Sequence, residues 1–541
     1  MLRLEPKRVL LLLGLWAGAM LLYAGTLRHP PIWDDHEFVF GQGYLMDCRN
    51  LPQAASLASL GTVLPVRNCA RPAWLVSVLA DTCLGGGRVY VYRLSSAFWH
   101  AVGAVLVLAL GWWLCGGLAA ASAAGLLFAV HPVHAEAVNI ITFRSDLLCL
   151  VFMLASLLLY RDALRRAGWP RRAGLAGSLA AFVLALLSKE MAVVLPLLLL
   201  LSHFYFPVPG NIRAGGRKLV LVLAGFLALV PLYLVFRAPR SGYVSASHQD
   251  VFSSWSRKFD LPLSTPREKP SAKHPSGLTK LDDPPWHEVY DDGGTLFLTM
   301  SRVFGSYLRL LLWPWPLQGD YAPRVVRGVE PTVLASWAAW LLLFAAAWAL
   351  RRRLPLAGFG LAWTAAGLLP VTGLVLLRNL QAERYLYVAS AGFCLAAGAL
   401  WAELDRRLSG RGLWAGRAAL ALLVAVWAGR TWSRSRDFRS DQAFLEATIA
   451  VDPGVPRAHL SLARFYQSQG AWGVAEREYG TALSLWPTSR RARVDFADFL
   501  AGRGRREEAL VQLREAERLP PQGPEVRVRI SQLTGRPRAR R

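Results

Sequence analysis

Two adjacent carboxylates, Asp34 and Asp35, stand in the stretch Pro31-Ile32-Trp33-Asp34-Asp35-His36-Glu37, directly after an apolar run from about Val9 to Leu27. Such a run is long enough to cross a bilayer, since roughly 20 residues at 1.5 Å each span its hydrocarbon core. The pair therefore stands at a membrane exit. A carboxylate there can act as general base on a hydroxyl whose reaction partner is carried by a lipid. The bland alternative is a pair of solvated loop charges.

Further candidates follow along the chain. His131-Pro132-Val133-His134-Ala135-Glu136 closes another apolar run. His131, His134 and Glu136 can face a substrate, pack at the interface, or ligate a metal as a mixed His/Glu set. Pro132 interrupts the helical spacing of the two histidines, so no metal ligand and no cofactor is assigned. Arg144 and Asp146 lie close enough in sequence to pair with one another. Ser188-Lys189-Glu190 is a tight turn between two apolar runs. Lys189 and Glu190 form either a snorkelling pair or a substrate contact, in which Lys189 offers a compact cation to a lipid phosphate. Arg384, followed by Tyr385 and Tyr387, sets a guanidinium among interfacial aromatics, which suits a phosphate contact or a membrane-interface anchor. A base on a hydroxyl acceptor and cations that stabilise a departing phosphate describe one reaction. A lipid-linked sugar phosphate is the substrate that needs both at this depth.

These residues must be held by membrane helices. The chain has 541 residues, 54% hydrophobic, with a mean hydropathy of +0.31, too apolar for an ordinary soluble protein. Eleven spans are predicted, with cores at 9–27, 94–114, 117–130, 147–160, 174–187, 191–206, 219–236, 331–350, 355–376, 385–402 and 413–429. Lys and Arg total 61 against 36 Asp and Glu, a net charge of +25. Much of that excess sits in short clusters between apolar runs, the positive-inside signature, and argues against a nucleic-acid partner. An inside amino terminus puts the basic clusters on the cytoplasmic side, provided the amphipathic 296–315 segment, with Arg302 and Arg309, does not cross. The loops at 28–92 and 237–295 and all the candidate residues then open on the external side. Cys48, Cys69 and Cys83 share the first of these loops, where a Cys48–Cys69 disulfide is expected.

Beyond Gly429 the composition turns to Arg, Glu, Ala and Leu at helical spacing. Pro453, Pro487 and Pro521 are 34 residues apart, as are Ala463/Ala497, Gly470/Gly504, Ala475/Ala509 and Ala482/Ala516. This is the tetratricopeptide period, with small residues where paired helices pack closely. The expected architecture is all-α: a polytopic membrane bundle over 1–430, then a short tetratricopeptide α-solenoid over 437–535, outside the membrane. Two and a half repeats are few for independent stability, so the array is expected to dock on the membrane part or on a partner.

Several motifs in this order resemble one family. They are Trp33-Asp34-Asp35 after the first span, His131-Pro132-Val133-His134-Ala135-Glu136-Ala137-Val138 leading to Arg144-Ser145-Asp146, then Lys189-Glu190, and Arg384-Tyr385-Leu386-Tyr387 before the repeats. The chain resembles the transmembrane and tetratricopeptide-repeat-containing (TMTC) protein O-mannosyltransferases. The resemblance implies a GT-C glycosyltransferase taking mannose or another hexose from a polyprenyl-phosphate donor, with inversion, at the external face. It matches Asp34 and Asp35 to the family's paired acidic motif, either one being the base, and Arg384 and Lys189 to phosphate contacts. A protein or glycan acceptor would reach the site through the repeats. Composition points to a bacterial inner membrane with the site on the periplasmic side. Two rival readings remain: an O-antigen ligase or polymerase-like enzyme using a lipid-diphosphate donor, and a membrane-anchored scaffold without enzymatic activity.

Overall fold

The computed structural model describes residues 6–207 other than 61, 63 and 67, and then 216–237, 289, 292–373, 379–519 and 524–535. Most of the 237–295 loop lies outside the described residues, as does Pro521. Among the described residues there are helices and turns but no strand. Backbone groups in lipid must be satisfied within the segment, and helices do this.

The principal helices are α1 (Pro6–Leu22), α2 (Pro72–Gly85), α3 (Val89–Cys115), α4 (Leu118–Val130), α5 (Arg144–Ala163), α6 (Gly168–Ser188), α7 (Leu195–Tyr205) and α8 (Gly216–Arg237). They continue as α9 (Gly293–Leu312), α10 (Pro331–Leu350), α11 (Pro355–Gly367), α12 (Leu386–Arg407) and α13 (Gly410–Ser435). Among the described residues seven helical stretches are long and apolar enough to cross a membrane, or eight if the bent pair Leu118–Val130 and Pro132–Asn139 is one span. The other three predicted spans fall on the apolar helical stretches Glu190–Tyr205, Val222–Arg237 and Pro355–Val371. The protein is thus a multi-pass membrane protein, with seven or eight full-length spans among the described residues. Helix α9 is not among the seven; it buries Met300, Val303, Tyr307, Leu310 and Leu311 along one face.

The 49° bend after α4 has a local cause. Proline disfavours helical geometry at the residue before it, and His131 duly adopts an extended conformation, with ψ 123°. Close crossings rely on absent side chains. A Cβ on Gly360 of α11 would collide with the backbone of Gly392 on α12, and one on Gly398 of α12 would collide with that of Ala120 on α4.

In the segment between α1 and α3 the disulfide joins Cys48 to Cys83, with Cα atoms 4.9 Å apart, and not Cys48 to Cys69. Helix α2 brings Cys83, in its last turn, beside the turn at Cys48–Asn50. Cys69 stands outside the disulfide, buried in an apolar cluster with Leu45, Val66 and Trp74. Closing this loop, with a sequence separation of 35, contributes about 4 kcal/mol by chain-entropy arithmetic. Peptide mapping without reduction is expected to recover a Cys48–Cys83 cross-link, and the double serine variant is expected to lose about that much unfolding free energy. A Cys48–Cys69 peptide would contradict this pairing.

Beyond α13 come α14 (Asp441–Val451), α15 (Pro456–Ser468), α16 (Trp472–Leu485), α17 (Arg490–Gly502), α18 (Arg506–Arg518) and α19 (Pro524–Thr534). The starts of α15, α17 and α19 are 34 residues apart, as are those of α16 and α18. Their shared core includes Ala463, Ala475, Ala482, Ala497, Ala509 and Ala516, the small residues of the repeat. The first of these helices pack onto the membrane bundle. Phe438, Phe444, Leu445 and Leu462 join Ile32, Ile140 and Phe143 in one apolar cluster. Gly319 approaches Phe444 so closely that any Cβ there would collide with its ring, and the Gly319 N–H donates to Thr448 Oγ1 at 3.2 Å.

Candidate active site

The segment after α1 separates the two aspartates. Asp35 is completely buried and accepts from the Ile141 N–H at 3.2 Å, the Thr142 N–H at 2.9 Å and the Thr142 hydroxyl at 3.0 Å. It fastens the segment after α1 to the turn before α5. Burial pushes its carboxyl above the ordinary range, against the pull of nearby Arg93 and these donors. Asp34 is half-buried, makes no hydrogen bond or ion pair among the described residues, and lines a cavity of about 590 Å³.

The turn that aims Asp34 is unusual. Trp33 has φ 52°, a left-handed conformation that costs a bulky residue about 1–2 kcal/mol. Helix α14 holds it there: the Trp33 N–H donates to Asp441 Oδ1 at 2.7 Å, and its ring lies 5.1 Å from that of Phe444. The second oxygen of Asp441 meets His36 Nε2 at 2.7 Å. One carboxylate from the repeat region thus grips the chain on both sides of Asp34. His36 therefore pairs with Asp441 and not with its sequence neighbour Asp35.

The hydrogen bond from Asp441 and its charge raise the His36 pKa above the ordinary value, partial burial opposing them. A group whose folded pKa is raised gives stabilisation that is complete below its unfolded value and lost as pH rises through the folded one. This latch is therefore expected to hold at pH 6 and to weaken above the raised His36 value. Hydrogen exchange at Trp33–Glu37 is expected to quicken over that rise in the wild type. In Asp441→Asn, exchange is expected to be fast at both ends of the range; a pH response preserved in that variant would contradict the assignment.

Across the cavity lies Arg384. Its backbone N–H donates to Glu136 Oε2 at 2.7 Å, and its guanidinium pairs with the other oxygen of that carboxylate. Its Cζ stacks 4.2 Å from the Phe143 ring centroid and 5.2 Å from that of Tyr385. The His131–Pro132 bend is what turns Glu136 toward it. The opposite wall belongs to the repeats, with Arg457, Arg464, Phe465 and Trp486. Arg457 is held by Asp320 and by Asn379 Oδ1 at 3.0 Å.

Behind Arg384 is a second cluster. Lys189 Nζ meets Asp146 Oδ2 at 2.5 Å, both side chains buried, and lies 5.9 Å from the ring centroid of Tyr385. Glu190 takes Arg71 at 3.1 Å and Arg237 at 2.9 Å. The expected Arg144–Asp146 pair does not form, because these residues leave the first turn of α5 in different directions. Arg144 is buried on Asp81 at 2.5 Å and donates to Tyr92 O at 2.6 Å. His131 and His134 do not reach the cavity. His131 Nε2 bonds Leu311 O at 3.0 Å and His134 Nε2 bonds Ser390 Oγ at 2.8 Å, in a buried aromatic nest with His100, Phe128 and Tyr387. Among the described residues no three His, Cys, Asp or Glu side chains converge as a metal site.

Of the expected set, Asp34 and Arg384 share the cavity, Glu136 orients Arg384, and Lys189 and Glu190 lie in the adjoining cluster. Asp35, His131, His134 and Arg144 are held in buried contacts elsewhere. Sequence reasoning missed Arg71, Asp81, Arg237 and Asp441. The first three are lone charges near apolar runs, a usable signal; Asp441 carries none.

No protein-family model matches the chain. Curated proteins do. It is 26% identical to the protein O-mannosyl-transferase Tmtc1 of Drosophila melanogaster over 90% of this chain and 62% of that protein. It is 25% identical to the protein O-mannosyl-transferase TMTC4 of Mus musculus over 66% of this chain and 48% of that protein. The figures for the Drosophila melanogaster Tmtc3 protein are 25%, 67% and 40%. The chain spans less than two thirds of the length of these relatives. Among solved structures, ArnT from Cupriavidus metallidurans in the apo state aligns over 90% of this chain and 79% of that one, at 15% identity and a TM-score of 0.40, too loose a likeness to carry an argument. By sequence, this multi-pass membrane protein is a distant relative of the TMTC protein O-mannosyl-transferases.

Proposed function

We propose that the protein is a GT-C-type glycosyltransferase that moves a hexose, mannose first among the candidates, from a polyprenyl-phosphate donor to a hydroxyl acceptor on the external, periplasmic face of a bacterial inner membrane. The observation that carries this reading is Asp34, a carboxylate without a hydrogen-bonding or ionic partner among the described residues, on one cavity with the fixed guanidinium of Arg384. Asp34 takes the proton of the acceptor hydroxyl as its oxygen attacks the anomeric carbon. The bond from that carbon to the phosphate oxygen breaks with inversion, and the phosphate leaves with the electron pair, stabilised by Arg384. Asp35 positions the segment and is not the base.

A lipid donor is supported by an apolar groove of about 630 Å³, lined by Leu201, Phe304, Trp337, Trp340, Phe344 and Trp348 among others. Its lining reaches Leu369 and Thr372, and the turn Leu369–Val371 packs on the turn Glu190–Val194. An isoprenoid tail in this groove would carry its phosphate toward Lys189, Arg71 and Arg384. We read the 34-residue helical repeat as tetratricopeptide, its domain covering 437–535 after a membrane domain over 1–430. With Arg464, Phe465 and Trp486 on the cavity, that domain presents the acceptor.

The test is transfer from radiolabelled polyprenyl-phosphate mannose to a peptide pool in proteoliposomes, with the corresponding diphosphate donor in parallel. Label on peptide from the monophosphate alone is the expected result. Transfer from the diphosphate alone would move the assignment to a ligase-type reaction. Transfer from neither, with other hexosyl monophosphate lipids also inert, would overturn it in favour of a scaffold.

A further inference from the structure

A second cavity, of about 650 Å³, opens at the end of the bundle away from Asp34, between the C-terminal ends of α3 and α5. Trp112, Trp113, Leu158, Leu159, Arg165 and Arg166 line it. Helix α5 carries Asp146 in its first turn and Arg161 in its last, 15 residues apart, which is about 23 Å along the axis. That separation approaches the thickness of a bilayer's hydrocarbon core. The cavity thus lies near the opposite membrane interface and belongs to no part of the reaction proposed above.

We propose that this cavity binds the headgroup of an anionic phospholipid, with Arg165 as the phosphate contact. The three arginines here are engaged differently. Arg161 is buried and donates to Ser202 O at 3.3 Å and Phe206 O at 2.8 Å, closing carbonyls at the end of α7. Arg166 pairs with Asp162 at 2.6 Å. Arg165 does neither. Its guanidinium lies over the Trp113 ring, 3.7 Å from the centroid, and has no hydrogen bond or ion pair among the described residues.

A guanidinium stacked on an indole is fixed in its plane, so its edge donors stay available in the fork that fits two phosphate oxygens. The Trp113 ring also removes part of the ordering cost that a free arginine would bear on binding. Leu158 and Leu159 supply an apolar floor, and Leu159 is exposed at 39%, in position for an acyl chain. Arg165 and Arg166 against the single carboxylate of Asp162 leave the lining net positive, which favours a headgroup with net negative charge over a zwitterionic one. A basic cluster at a membrane interface orients a protein whatever its geometry. The stacked and unpaired state of Arg165 at the rim of a cavity is not needed for that role, and it is what identifies a ligand site.

The test uses the full-length, detergent-purified protein in native mass spectrometry, titrated with phosphatidylglycerol, with phosphatidylcholine and with inorganic phosphate. Wild type is expected to retain phosphatidylglycerol at least about tenfold better than phosphatidylcholine, as a charge-assisted bidentate contact implies. Arg165→Gln is expected to lose about that factor at an unchanged melting temperature, and Arg165→Lys to fall between. Arg172→Gln, at an exposed arginine outside the cavity, is expected to bind as wild type does. Equal retention of the two lipids, or no retention of phosphatidylglycerol by wild type, would overturn the proposal. So would an equal loss in Arg172→Gln, which would show a diffuse surface charge. Displacement of phosphatidylglycerol by millimolar phosphate would assign the cavity to a soluble anion instead.

Discussion

Asp34→Asn is expected to lower sugar transfer by about a hundredfold to ten-thousandfold, the range that a positioned general base contributes. Membrane insertion, melting temperature and donor binding should be unchanged, because the Asp34 side chain makes no hydrogen bond or ion pair among the described residues. Asp35→Asn is expected to behave in the opposite way. Its carboxylate receives three donors in a fully buried place, and an amide offers one acceptor oxygen plus an NH2 that would face those donors. A buried donor left unsatisfied costs about 1–3 kcal/mol, so Asp35→Asn should appear first as a lowered melting temperature. Steady-state transfer and thermal unfolding on both variants decide the matter. An active Asp34→Asn enzyme, or an Asp35→Asn enzyme that is stable and inactive, would move the base to Asp35.

The second large effect concerns Lys189 and Asp146. Removing one partner of a buried ion pair leaves an uncompensated charge, which costs about 3–5 kcal/mol. Lys189→Met is therefore expected to unfold at a markedly lower temperature than wild type, and Asp146→Leu likewise. The double variant, with both charges gone and the volume roughly kept, should regain most of that stability. Its transfer activity separates the two roles of Lys189. If the ammonium also helps to hold the donor phosphate, the double variant is stable and its KM for the lipid donor rises at least tenfold. A double variant with wild-type KM would show that the pair is structural.

The docking of the repeat helices links these effects to distant sequence. Asp441 lies more than 400 residues from Trp33, yet its carboxylate holds the left-handed turn that presents Asp34. The repeats are thus part of the wall and the support of the cavity.

The apolar runs, the basic clusters between them and the 34-residue spacing of small residues and prolines were readable from the chain alone. Each is a local, periodic property, and helices preserve local periodicity. The sequence also determined which residue types could do chemistry, because charges beside apolar runs are costly and few. Partner choice was decided only by the tertiary structure. Neighbours in sequence were poor guides to it: Arg144 went to Asp81, Asp146 to Lys189, His36 to Asp441 and Cys48 to Cys83. A helix sends successive side chains in different directions, and a buried charge or thiol pairs with whatever the packing brings within reach. The same rule parted Asp34 from Asp35, since one turn of the backbone at Trp33 sends the first into the cavity and the second into the protein interior.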